Sequence, residues 1–210
     1  MAPLESKGIL GRLFGFRDKD PLWDRFVNRP LSDPGNDLSA AIRSAPEGAV
    51  YPVKTEVPDL AGMTANMKEL GVWLGVDMVG IIRLQPGHVR PDELRDGQGQ
   101  RSAEEIVRDY PHVIICGVQT DHDPSSTEGM AGRVASLEGN LVSFNLAAYI
   151  RELGYRASFG GADPVKVGEA AGLGRPGADG HFSAAGKKGW IHLSDPILTE
   201  LPLEPDPPVA

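Results

Sequence analysis

The apolar and polar positions divide the chain into two parts. Up to about residue 57 they follow no steady period, and Pro21, Pro30, Pro34, Pro46 and Pro52 punctuate the segment. The pattern predicts an irregular N-terminal arm over 1–57, with one short helix from Asp37 to Ser44 capped by Asn36 or Asp37. From Pro58 the pattern becomes regular. Leu60, Met63, Met67, Leu70 and Leu74 recur at three- and four-residue spacing, one face of a helix, and Gly75 is suited to end it. Asp77 to Leu84 reads as a short strand closed by the Pro86-Gly87 turn.

After a polar stretch, Ser102-Ala103-Glu104-Glu105 forms a capping box and predicts a helix to about Tyr110. Val113-Ile114-Ile115-Cys116-Gly117-Val118 is continuous, β-branched and bounded by turns, as a strand buried on both faces would be. A long helix is expected from about Glu128 to Leu153, with Met130, Val134, Leu137, Leu141, Phe144, Ala148 and Ile150 on its buried side and Gly154 at its end. Tyr155 to Phe159 reads as a strand. Asp163-Pro164 starts a helix, with Asp as N-cap and Pro at N1, and Gly172 stops it. Gly189 to Thr199 reads as a final strand, broken or bulged near Pro196. Mixed helices and strands with long connections predict an α+β fold, a central sheet flanked by long helices.

Composition removes several classes. With 29 acidic against 21 basic residues the net charge is -8, which disfavours a general nucleic-acid surface built on clustered Lys and Arg. No apolar run approaches the ~20 residues of a membrane helix. Gly8 to Phe16 is apolar but broken by Arg12 and glycines, and reads as an arm or subunit-packing segment rather than a signal peptide. Cys116 is the only cysteine. It can form no intramolecular disulfide, which fits a reducing, cytoplasmic setting. It also cannot hold by itself an iron–sulfur cluster, which needs about four thiolates. In its apolar run it reads as a buried, inert thiol. Asp121-His122-Asp123 invites a metal reading. Neighbours in an extended chain diverge, however, so a solvated loop is the simpler reading.

Three runs carry a resemblance. They are Gly154-Tyr155-Arg156-Ala157, then Ala170-Ala171-Gly172-Leu173-Gly174, then Leu198-Thr199-Glu200-Leu201-Pro202-Leu203-Glu204-Pro205-Asp206. In order and spacing they resemble the corrinoid-binding domain of the reductive dehalogenases and epoxyqueuosine reductases. The clear match spans residues 140–208. The resemblance implies a nitroreductase-like α+β domain over 58–210 and a cobalamin held base-off against the Gly-rich loop. Gly172, Leu173, Gly174, Arg175, His181 and Ser183 would line it. Glycines let backbone approach a flat macrocycle, although Gly172 can equally be a plain helix stop.

In the family a ferredoxin-like segment follows the Pro-Asp tail, whereas this sequence stops at Ala210. Electrons are therefore expected from a separate ferredoxin-type partner or a soluble reductant, unless redox turnover is absent. The family's strand arginine falls at His192, the candidate proton donor, which reads equally as an ordinary sheet histidine. The catalytic tyrosine of the dehalogenases falls near Arg133. Three functions stay open: a corrinoid-dependent oxidoreductase subunit, a non-enzymatic corrinoid carrier or structural subunit, and a flavin nitroreductase-like enzyme. A turn-rich arm that wraps a second copy makes a homodimer an expectation.

Overall fold

The computed structural model describes residues 29–120, 130–176, 182–183 and 189–207, with Pro21, Leu22 and Arg25. The 121–123 loop, His181 and the 8–16 segment lie outside the described residues.

His112–Thr120 forms the central strand β2. Its Val113, Ile114, Ile115 and Cys116 are fully buried, so the continuous apolar run is a strand covered on both faces. β1 (Met78–Arg83) pairs antiparallel along one side of it, from Met78 opposite Gly117 to Arg83 opposite His112. The other side is shared by two strands in line, β6 (Trp190–Leu193) and β7 (Ile197–Thr199). Leu193 sits opposite Gly117 and Ile197 opposite Ile114. Ser194, Asp195 and Pro196 therefore face only two residues of β2, which is the interruption expected near Pro196. β3 (Ala157–Phe159) extends the sheet beyond β7, while β5 (Phe182–Ser183) and β4 (Arg175–Pro176) extend it beyond β6.

Two helical layers cover the sheet. One holds α2 (Leu60–Leu74) and α4 (Met130–Glu152), whose Met67, Val142, Leu146 and Ile150 pack on Val79, Ile81, Ile114, Cys116 and Val118. α1 (Leu38–Ser44) packs on α4. The other layer holds α3 (Ala103–Asp109) and α5 (Pro164–Ala170), with Ile106 and Val167 among Ile82, Val113, Ile115 and Leu198. The expected α+β architecture is observed.

The helix ends follow their predicted chemistry. Asp37 caps α1 through the Ser39 and Ala40 N–H groups. Ser102 and Glu105 exchange bonds in a capping box. The Asp163 side chain accepts from Val165 and Lys166.

The buried face of α4 differs from the expectation. Leu141 is 48% exposed, while Ala135, Gly139, Asn140, Val142, Ser143, Leu146 and Ala147 face inward. The reason is close approach. A Cβ on Gly139 would lie 3.2 Å from Ser194 Cβ and 3.6 Å from Val118 Cγ2, so the interface selects small side chains rather than the bulkiest apolar ones.

The C-terminal tail runs along the outer edge of β1. Asp206 N–H donates to the Ile81 carbonyl (2.7 Å), and the Asp206 carboxylate accepts the Ile81 N–H (2.8 Å). Lys68 of α2 pairs with the same carboxylate. Thr64 exchanges bonds with the Glu204 backbone through its hydroxyl, which donates to the carbonyl and accepts the N–H, both at 2.9 Å.

Candidate functional site

Gly172 ends α5 at φ +71. Its N–H bonds Glu169 O, and the Leu173 N–H reaches back to Gly168 O, both at 3.0 Å, the paired closure of a Schellman motif. The C-terminal end of α5 presses on β1, because a Cβ at Gly80 would stand 2.5 Å from the Ala171 methyl. Leu173 continues that packing on the same face of the sheet. Gly174 is buried, and a Cβ there would lie 2.1 Å from the Ser183 carbonyl oxygen. Its missing side chain is thus used by the chain itself, to let β5 cross.

The next residues belong to the opposite face. Arg175 pairs with Ser183, and Phe182 with Ile191. Phe182 lies over Gly168 and Gly174 on the α5 face. Strand alternation then places Ser183 and Arg175 on the α4 face, alongside Trp190 and His192. Arg175 and Ser183 are both exposed. The sequence-nominated residues therefore separate, with Gly172, Leu173 and Gly174 on one side and Arg175, Ser183 and His192 on the other.

His192 pairs with Val118 of β2. Its Nε2 is buried and has no hydrogen-bond partner. Burial holds its pKa below the usual histidine range, and nearby Arg43 pushes the same way, against Asp195. The ring is therefore neutral at pH 7.

Next to it the interruption between β6 and β7 organises a buried polar network. Ser194 Oγ accepts from Cys116 N–H (3.2 Å) and contacts Ser143 Oγ (2.7 Å). Asp195 N–H donates to Asn140 Oδ1 (2.9 Å), and Asn140 Nδ2 donates to Ser39 Oγ (3.0 Å). Arg43 of α1 pairs with Asp195 (2.8 Å), and Asp37 pairs with Arg133 of α4. These bonds tie α1 and α4 to the strand break beside His192. Sequence reasoning did not find the network, because its members lie about 50 to 150 residues apart and are individually ordinary. The only available signal was the bulge near Pro196.

The Cys116 thiol is fully buried, and burial pushes its pKa up to about 11 despite hydrogen bonds to Ser143 and Ser194. It is an inert thiol at neutral pH.

A second polar group ties down the 91–101 loop on the other face of the sheet. Arg101 pairs with Asp96 and with Asp109 (2.8 Å), and Tyr110 Oη donates to Asp96 (3.1 Å). Burial, reinforced by Asp96, raises the Tyr110 pKa, so this hydroxyl stays protonated. Among the described residues no His, Cys, Asp and Glu side chains gather into a metal-ion site, and no helix is long and apolar enough to cross a membrane.

No protein-family profile matches the chain, and no curated protein does. Solved structures do. A catabolic reductive dehalogenase in complex with 3-bromo-4-hydroxybenzoic acid matches at TM-score 0.62 and 24% identity, over 83% of this chain and 24% of its own. A reductive dehalogenase described in connection with B12-dependent dehalogenation matches at 0.58 and 25%, over 82% and 24%. Epoxyqueuosine reductase from Bacillus subtilis follows at 0.48 and 12%, over 72% of this chain and 49% of its own. The chain thus has a fold found in B12-dependent reductive dehalogenases, and it spans about a quarter of their length.

Proposed function

We propose that this chain is a corrinoid-binding redox subunit that works with a separate ferredoxin-type iron–sulfur donor in the reducing cytoplasm. The observation that carries the reading is the fold it shares, over 82% of its length, with an enzyme described in B12-dependent dehalogenation. These 210 residues contain one cysteine, and one thiol cannot hold a cluster, so any cluster that feeds the ligand is bound by other residues.

The residues available fit a large polar ligand on the α4 face of the sheet end. Arg175 and Ser183 are exposed there, and Arg175 can hold an amide or phosphate oxygen. His192 offers an Nε2 with no internal partner. Gly172 presents the outer surface of the α5 end, while Gly174 is filled by Ser183 and contributes only by shaping the hairpin. A bound cobalamin would supply low-potential electron chemistry. The chain itself would orient the ligand, exclude water through α1 and α4, and hold a neutral imidazole beside it.

Titration of the purified protein with hydroxocobalamin tests this directly. Saturable binding with a base-off spectrum is expected, weakened at least tenfold by Arg175→Ala, a loss of about 1.4 kcal/mol. Binding of FMN without cobalamin would overturn the reading in favour of a flavin enzyme. Cobalamin binding with no turnover in the presence of a reduced ferredoxin would make the chain a carrier.

A further inference from the structure

The adjoining flanks of α2 and α4 expose large apolar side chains to solvent. On α2, Met67 and Gly71 face the sheet, and a Cβ on Gly71 would meet Val79 Cγ2 at 2.6 Å and Leu146 Cδ1 of α4 at 3.6 Å. Thr64 and Lys68 bond the tail at the outer edge of β1. The remaining side of α2, turned toward α4 and solvent, holds Trp73, which is 81% exposed. On α4, Val142, Leu146 and Ile150 face the sheet, while Asn140 and Ser143 face α1 and the strand break. Leu141 and Tyr149 lie on the flank opposite Ser143, the one along which α2 packs, and both are exposed.

The charges on this face have one sign. Glu69 of α2 and Glu152 of α4 are exposed, and Glu138 of α4 is half-buried. Among the described residues none of the three pairs with a cation. Burial first, and Asp77 second, raise the pKa of Glu138, as expected of a carboxylate without a counter-ion. The cations of the two helices are engaged elsewhere: Lys68 with Asp206, Arg133 with Asp37, and buried Arg151 with the Ala157 carbonyl. Exposed Trp, Tyr and Leu with no Lys among them match an interface better than a solvated face. A second copy of the same face would set Glu against Glu, which disfavours it as the occupant. One segment of this chain has the complementary chemistry. Lys7 to Arg17 carries Lys7, Arg12 and Arg17 and no acid, interleaved with Ile9, Leu10, Leu13, Phe14 and Phe16. It is tethered within reach. About a dozen residues join Arg17 to Arg29, enough to span up to ~40 Å. The chain then enters α1 beside the start of α4, where Asp37 pairs with Arg133. From Arg133 to Leu141 along α4 is only ~12 Å, and a helix is ~10 Å across.

We propose that the segment from Lys7 to Arg17 docks on the α2–α4 face of its own chain. Its apolar residues lie against Trp73, Leu141 and Tyr149, and its three cations against Glu69, Glu138 and Glu152. This contact takes the tryptophan out of water and supplies the counter-ions that the three carboxylates lack. The face lies on the β1 side of α4, whereas His192 lies on the β6 side. The docking therefore stands apart from the corrinoid reading and does not depend on it.

Acrylamide quenching in the full chain tests this, with Trp23→Phe and Trp190→Phe leaving Trp73 as the one indole. The docked segment should shield Trp73. Leu13→Asp with Phe14→Asp is expected to raise its quenching constant at least about twofold, and salt at about 0.5 M should act in the same direction by screening the ion pairs. Arg12→Glu with Arg17→Glu should open the face as well. Adding Glu69→Lys and Glu152→Lys to that variant should close it again, a rescue that an indirect effect on folding would not give. Should Trp190→Phe unfold the chain, the same changes are read in total quenching with Trp190 retained. Trp73 quenched as freely as the free amino acid, or indifferent to both sets of segment substitutions, overturns the proposal. Sedimentation velocity over a ~100-fold range of protein concentration fixes the occupant. Shielding in the monomer supports docking within one chain. Shielding that appears only with a dimer assigns the face to a second copy and overturns it.

Discussion

Glu200 shows how one side chain can set an acid limit. Its carboxylate accepts from the Arg156 N–H (3.0 Å) and guanidinium (2.9 Å) and pairs with Lys54 (3.0 Å). Burial opposes ionisation, but these partners win and hold its pKa down to about 2. The folded pKa is depressed, so the stability it contributes is present above the unfolded value near 4.3 and is lost as pH falls toward 2. Urea midpoints measured between pH 5 and 2.5 should fall steeply in the wild type and less steeply in Glu200→Gln.

His112 has the opposite chemistry and the same sign. It is buried, and desolvation lowers its pKa against a smaller opposing contribution from the Leu201 backbone. Its stabilising effect is complete above about pH 6.5 and declines below it, because the unfolded chain binds the proton more readily. His112→Phe should flatten the pH 5–7 part of the same curve.

Gly174 marks a steric rather than an electrostatic limit. A methyl at this position meets a backbone carbonyl at 2.1 Å, and backbone cannot step aside as a side-chain tip can. Gly174→Ala is expected to cost at least about 1–3 kcal/mol and to separate β4 from β5. Thermal unfolding, with amide exchange at Ser183, would show both.

At the scale of elements, the helix ends and the central strand were legible because their causes are local. A capping box or an Asp-Pro start satisfies orphan N–H groups within four residues, whatever the rest of the chain does. The inward face of α4 was not legible. Bulky Leu141 points outward and Asn140 and Ser143 inward, because the partner is a strand break that offers polar groups and little room. The tail is the other element whose role depends on its partner. As sequence it was a stiff Pro-rich ending, whereas in the fold it occupies the free edge of β1 at Ile81. Asp206→Ala should therefore destabilise by about 1–3 kcal/mol and accelerate amide exchange at Ile81. If Ile81 exchange is unchanged, the tail is not the edge cover described.

For the whole molecule, the sheet separates two surfaces with different work. One carries α3, α5 and the ion pairs of Asp96, Arg101 and Asp109, and is sealed. The other carries α1 and α4 over the strand break, where a neutral His192 lies beside the end of β2 and the exposed Arg175 stands further out on β4.

The sequence alone determined the order and type of the main helices and strands, though not the short β4–β5 hairpin, and with them the both-faces burial of β2, the α5 stop at Gly172 and the interruption near Pro196. Each depends on periodicity or on capping within a few residues. Only the tertiary structure decided that Gly174 is filled by the chain's own hairpin, that Arg175 and Ser183 lie on a different face from Leu173, and that Gly139 of α4 rests on Val118 and Ser194. Those facts depend on strand register and on contacts between residues far apart in sequence, which local pattern does not encode.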